Sequence, residues 1–422
     1  MSPATRLVVA TIIGLFAEGG RSLAADPPKK IQFGINPSGI TSQAMRDALT
    51  RMQDAGVVEG RRGSLTFFRW ADGTPPRLAH LGLWGSKVGN DVLAHAASLP
   101  DLEHVSLYET AVDDAGFTMV AKLPKLKSLA VTPVIRYEKT GFGPPQWSYP
   151  FVPEKADRPR ITGKTLSALA GLSNLENLDL LDARLVSADL AALAAWPKLS
   201  SIGLPNPIDA ETVKHLRACR RLTSLNLGHR EVTAVELETL AGWKSLRKLT
   251  LIHASLSDEA LQALGKLQTV EELHLQDCGL TDDRLQYLHG TPKLTSLALD
   301  RNEIAGPGLA HLAKLKLTSL SLGFNNINDK TLTHLTHLTT LDTLGISYCP
   351  GVTDLGVRRG TLQGMTHLKR LNLRGLKQIT DAGLDELVKF GHLDHITIRE
   401  TKISTDGVER MKKALPKTVV FK

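Results

Sequence analysis

Residues 246–267 read Leu246-Arg247-Lys248-Leu249-Thr250-Leu251-Ile252-His253-Ala254-Ser255-Leu256-Ser257-Asp258-Glu259-Ala260-Leu261-Gln262-Ala263-Leu264-Gly265-Lys266-Leu267. The stretch changes periodicity half-way. Up to Leu251 the leucines alternate with polar residues, the pattern of a short strand with one buried face. At Leu261, Leu264 and Leu267 they recur every third position, the helical signal. Ser257 stands where an N-cap accepts a free backbone amide, and Asp258 follows in the first turn, near the positive end of the helix. The same cap returns as Thr281-Asp282, Asn328-Asp329, Thr353-Asp354 and Thr380-Asp381.

The opening pattern, L-x-x-L-x-L with Val or Ile in places, begins at Leu78, Leu102, Leu126, Leu175, Leu199, Leu222, Leu246, Val270, Leu294, Leu317, Leu341, Leu368 and Leu393. The spacing stays close to 24 residues, except for the step of 49 from Leu126 to Leu175, one ordinary repeat plus an insertion. One strand, turn, capped helix and return cannot bury both apolar faces, so neighbouring units must stack. Length alone, at about 100–200 residues per domain, gives two to four domains. The period replaces them with one elongated array of about 13 repeats over residues 76–415.

The ninth position of the unit is Cys278, Asn302, Asn325 and Cys349 in four repeats. Two further stretches are Tyr348-Cys349-Pro350-Gly351-Val352-Thr353-Asp354-Leu355-Gly356 and Gln378-Ile379-Thr380-Asp381-Ala382-Gly383-Leu384. On these residues the chain resembles the leucine-rich repeat proteins, in the cysteine-containing, F-box-associated or ribonuclease-inhibitor-like subtype. The resemblance implies an α/β fold: a right-handed solenoid, or horseshoe, with a concave parallel sheet and convex short helices. It also implies that the ninth side chain hydrogen-bonds the backbone of its coil. Ala183, Arg230, Ala254 and Leu376 depart from that pattern and interrupt the ladder.

The first 25 residues read as a bacterial-type export signal. Arg6 supplies the positive start, Leu7 to Ala17 the apolar run, and Ser22-Leu23-Ala24-Ala25 the small-residue exit. Eleven apolar residues are too few to span a bilayer, and no later stretch approaches the ~20 required. The expected product is exported, periplasmic or secreted, with no integral membrane segment once the signal is removed. Residues 26–75 are expected to form an N-terminal α/β cap and residues 416–422 a C-terminal capping strand. Open solenoid ends expose both apolar surface and a strand edge.

Hydrophobic residues at 42% and charged residues at 22% exclude wholesale disorder and a polytopic membrane protein. Aromatics at 5% leave an aliphatic core, and three cysteines make no disulfide framework. Cys278 and Cys349 occupy equivalent places three repeats apart, hence ~15 Å at ~4.8 Å per strand, whereas a disulfide needs Cα atoms within ~7 Å. The net charge of +8, reduced to +7 by loss of Arg6, Glu18 and Arg21 with the signal, permits anionic partners without requiring them.

No nucleotide-binding glycine loop, HExxH helix, zinc-spaced cysteine pair or nucleophile elbow is present. Gly141-Phe142-Gly143 leads into Pro144-Pro145 rather than a helix. No catalytic, cofactor or metal residue is therefore assigned. Binding candidates come from the third and fifth to seventh positions of each unit, which are expected to face the concave side. His80 and His104 share a column, as do Trp84 and Tyr108. The His pair lacks a third ligand, since Ser128 is next in line. Insertion 132–160 follows directly and carries Tyr137, Phe142, Trp147, Tyr149 and Phe151 among six prolines. A second patch has Arg370 with His395 in one column and Arg374 with Arg399 in another. Between the patches the columns are mostly small: Ser201, Gly203, Ser224, Ser296, Ala298, Ser319, Ser321 and Gly345.

These features point to a monomeric, non-enzymatic, exported binding or scaffold protein. Its partner would be a protein or an anionic or carbohydrate envelope polymer, and export disfavours nucleic acid. Two alternatives stand beside it. The cysteine-type repeats also suit a ubiquitin-ligase substrate receptor, though no F-box is recognisable. The insertion, with Glu138, Glu154 and Asp157, also admits a polysaccharide-active enzyme, without a spacing that fixes an acid and a base.

Overall fold

The computed structural model describes residues 63–68, 77–84, 88–97, 99, 101–108, 110–132, 161–181, 183–205, 209–358, 362 and 365–422. The signal segment, most of the 26–75 cap and all but the first residue of insertion 132–160 lie outside the described residues.

Every repeat contributes one strand to a single 15-stranded sheet whose order follows the chain. The strands are β1 Gly63–Phe68, β2 Arg77–Trp84, β3 His104–Tyr108, β4 Ser128–Thr132, β5 Asn177–Asp179, β6 Ser201–Gly203, β7 Ser224–Asn226, β8 Lys248–Thr250, β9 Glu272–His274, β10 Ser296–Ala298, β11 Ser319–Ser321, β12 Thr343–Gly345, β13 Arg370–Asn372, β14 His395–Thr397 and β15 Val419–Phe421. β1 lies antiparallel on β2. Every later pairing is parallel, and equivalent residues of successive repeats stand side by side. The pairing of β4 with β5, Ser128 beside Asn177, carries the stack past the insertion without a break.

The return halves are short. Asp114–Val120, Ala234–Ala241 and Asp258–Leu264 are α-helices, while Ser187–Ala195, Asp283–Gly290 and Pro307–Lys314 are 3₁₀-helices. Between sheet and helices the leucines of the first, fourth and sixth positions fill a continuous aliphatic core. Leu294, Leu297 and Leu299 of one coil are all fully buried. The sixth position therefore does not join the outer face as expected. The strand leaves the sheet after its fifth residue, which turns Leu275, Leu322, Ile346 and Leu373 inward.

Two hydrogen-bond systems tie coil to coil. Within the core, Asn302 Oδ1 accepts from the amides of Cys278 and Leu280, and its Nδ2 donates to the carbonyls of Leu275 and Leu299. Asn325 repeats the arrangement one coil later. Cys278 and Cys349 flank the pair, each thiol donating to a carbonyl of the preceding coil. The ladder thus occupies four consecutive coils, and Leu376 replaces it with apolar packing.

On the helical side, the first-turn aspartates act across repeats. Asp114, Asp329, Asp354 and Asp381 accept from the backbone N–H and hydroxyl of Thr162, Thr353, Thr380 and Ser404 respectively. Asp282 likewise accepts from the amides of Ala305, Gly306 and Gly308. The Asp282 carboxylate serves the next coil and makes no side-chain cap to the 3₁₀-helix that begins after it. Asp114 and Thr162 bracket the insertion.

Candidate functional site

The outer sheet face is built from columns at positions three, five and seven. A further column runs along its rim. At position eight, His229, His253, Asp277, Arg301, Phe324, Tyr348, Gly375 and Glu400 all have φ between 54° and 74°. This left-handed conformation costs a non-glycine residue roughly 1 kcal/mol. It lets the Phe324 and Tyr348 amides donate to the carbonyls of Ser347 and Arg374 one coil on, extending the ladder beyond the strands.

The rim side chains stack on one another. The rings of His229 and His253 are 5.1 Å apart, and His253 Nδ1 lies 2.8 Å from Asp277. Arg301 covers Phe324 at 3.9 Å, and Phe324 stacks on Tyr348 at 4.4 Å. Tyr348 lies over Gly375, where a Cβ would come within 2.2 Å of the ring. Its hydroxyl donates to Glu400, which also accepts from Arg374 Nε and Nη2. Arg374, a candidate of the second patch, is committed to this cluster.

Charges in the middle of the face are similarly closed. Lys248 and His274 both bond Glu272 Oε1, at 2.6 and 2.7 Å. These bonds outweigh burial and hold the Glu272 carboxyl below its ordinary range, while burial lowers His274. Asp179 reaches over Gly203 to Asn226 Nδ2, and a Cβ on Gly203 would lie 2.4 Å from the carboxylate. Burial pushes the Asp179 carboxyl up to about 6 against the pull of Asn226 and the Leu181 amide. Asp300 repeats the device over Gly323, accepting from Ser321 and the Gly323 amide.

Near the start of the array, His80 and His104 pair in register and their rings stack at 4.0 Å. Burial lowers both below the ordinary histidine value, so they are neutral near pH 7. Ser128 follows in the column as expected, and no group of three metal-ligating side chains occurs among the described residues. Trp84 and Tyr108 pair in register, but their side chains lie outside the described residues, as do Tyr137, Phe142, Trp147, Tyr149 and Phe151.

At the other end, a depression of about 340 Å³ opens on β11–β15. Ser319, Ser321, Thr343 and Gly345 line its low side, and Arg370, Asn372, His395, Thr397 and Phe421 its high side. Arg370 and His395 are brought together, as their shared column requires. Arg374 and Arg399 do not line it. Sequence reasoning missed Asn372, Thr397 and Phe421, although the count of positions that found Arg370 also gives them. It missed the rim because no alternation of apolar residues marks position eight.

A family model described as Leucine Rich repeat matches residues 266–286 and 314–335. Those segments coincide with coils that the structure stacks in register. The fold is a leucine-rich-repeat solenoid. Among curated proteins none matches its sequence. Solved structures similar to this leucine-rich-repeat chain include an internalin from Listeria monocytogenes, at 18% identity over 91% of this chain and 96% of the other, with a TM-score of 0.41. A TLR13–ssRNA13 complex has 19% identity over 81% and 55%, with a TM-score of 0.45. The yeast Rad7 and Elc1 complex has 16% over 79% and 84%, with a TM-score of 0.48. No described helix of the solenoid is long and apolar enough to cross a membrane.

Proposed function

We propose that the solenoid is a non-catalytic, exported scaffold that holds a protein partner or an envelope polymer on the outer face of its sheet. One observation carries the reading: fourteen parallel strands hold their outward side chains in fixed columns, bonded coil to coil on both sides of the core. Such a surface loses little conformational freedom when it binds. The non-catalytic part is supported by the closure of charged groups upon one another, as in Lys248–Glu272–His274 and Arg374–Glu400. Export is supported by the pattern of residues 1–25 alone.

The test uses photo-crosslinking residues placed at Asn372 on the face and at Lys330 on the helical side. A partner is expected to crosslink from position 372 and not from 330. Crosslinking only from 330 removes the reading. N-terminal sequencing of the exported fraction is expected to begin at Ala25 or Asp26, and an intact Met1 in that fraction contradicts the signal.

A further inference from the structure

We propose that the depression over β11–β15 seats an acidic polypeptide segment, with a carboxylate at Arg370 and His395 and an apolar side chain two residues on against Phe421. The proposal rests on the sheet face being the binding surface. Four observations carry it.

The first is shape. β11 and β12 present Ser319, Ser321, Thr343 and Gly345, while β13–β15 present Arg370, Asn372, His395, Thr397 and Phe421. The change from small to large side chains forms a step into which a side chain can be laid. The second is charge. Arg370 and His395 are the ionisable residues of the lining, and it contains no Asp or Glu.

The third is the state of Arg370. Thr343 Oγ1 accepts from Arg370 Nε at 3.0 Å and donates to Asp342, which itself stands 3.6 Å from Arg370 Nη2. The relay orients the guanidinium from one side, and no described residue hydrogen-bonds its Nη1. A planar fork held in this way suits a carboxylate. His395 lies beside it in the same column, its ring near-parallel to Phe421 at 6.4 Å.

The fourth is spacing, and it favours a polypeptide. Alternate residues of an extended chain lie about 6.6–6.8 Å apart on one face. Columns three and five of this sheet are also two strand residues apart. An extended segment lying along the strands between Arg370 and His395 therefore places one side chain over that pair and the next over Asn372 and Thr397, one strand from Phe421, in the order acid, any residue, apolar. The neutral hydroxyls and the Asn372 amide remain for its main chain.

The test measures binding of fluorescein-labelled Glu-Ser-Leu-Ser-Glu-Ser-Leu-Ser to the signal-free protein by anisotropy. The same peptide with Lys for Glu and an oligogalacturonate serve as the other arms. Arg370→Glu is expected to weaken the acidic peptide at least about tenfold. Phe421→Ala is expected to weaken it several-fold. Lys369→Glu makes the same change of charge one residue away, outside the lining, and is expected to leave affinity within about twofold. Circular dichroism confirms that each variant is folded. Unchanged affinity in Arg370→Glu, or an equal loss in Lys369→Glu, overturns the proposal, as does no binding of the acidic peptide. Selective binding of the oligogalacturonate overturns it in favour of a polysaccharide. If partner crosslinking from position 372 survives in Arg370→Glu, the face reading stands and this seat falls.

Discussion

Asp354 reaches one coil forward to Thr380, accepting its backbone N–H at 2.7 Å and its hydroxyl at 2.6 Å. The space for that carboxylate is left by Gly383, where a Cβ would lie 2.3 Å from Asp354 Oδ1. Gly356 stands in the same relation to Asp329, and Gly407 to Asp381. The recurring Thr-Asp-x-Gly thus encodes a contact between coils, with the aspartate supplied by one and the glycine by the next.

Helix propensity favours Ala over Gly by about 1 kcal/mol, but the clash with Asp354 reverses the sign. Gly383→Ala is expected to destabilise the protein by about 1–3 kcal/mol in urea unfolding. Gly171→Ala, where an added Cβ meets nothing within 4 Å, should stay within about 0.5 kcal/mol. A stabilised Gly383→Ala protein would falsify the packing account.

Asp179 sets a pH dependence of definite sign. Its carboxyl titrates near about 6 when folded, above the ordinary 3.8, so the folded state holds the proton more tightly. The associated stability is complete below pH 3.8 and is lost as pH rises through about 6. Asp179→Asn should flatten the stability profile between pH 4 and 6.5 and stabilise the protein at pH 7.5 by about 2 kcal/mol. Parallel profiles for the two proteins would contradict the raised value.

Asn302 satisfies four backbone groups, whereas the Cys278 thiol, a weak donor with one hydrogen, bonds Leu251 O. Asn302→Ala is expected to cost roughly 2–4 kcal/mol through the polar groups it strands. Cys278→Ala should cost about 1–2 kcal/mol, mostly from lost packing. Equal losses in denaturant titrations would show that the amide ladder carries no special weight.

Burial pushes the Cys278 and Cys349 thiols up to about 12. A thiolate is the reactive form. Neither should label with a disulfide reagent at pH 8 in the native protein, and both should label promptly in guanidinium. Fast labelling of either under native conditions contradicts the buried assignment.

The stack is legible because leucines at fixed spacing mark every coil, and the same spacing places His80 beside His104 and Arg370 beside His395. What stayed hidden depends on atoms that meet across repeats. Asp354 looked like part of its own helix cap because sequence shows Thr353 next to it and not Thr380. The pairing of Arg374 gave no sign in the sequence, because Glu400 and Tyr348 approach it only once the left-handed eighth position brings them round. The sixth position was misplaced outward because a short strand was extended past the residue at which the chain turns. Asp179 gave no signal at all: its state comes from Gly203 and Asn226, one and two coils away.

The four coils joined by Cys278, Asn302, Asn325 and Cys349 have a kinetic consequence. Their bonds link residues mostly 21–27 positions apart, so each closes only a short loop of chain. Formation of order is then a one-dimensional growth process with nearest-neighbour coupling, and contacts of this modest separation close quickly. Growth starts most easily where neighbours are tied both inside and outside the core, and spreads towards each end. Amide exchange should slow from the terminal coils inwards, with its slowest protons between Leu275 and Cys349.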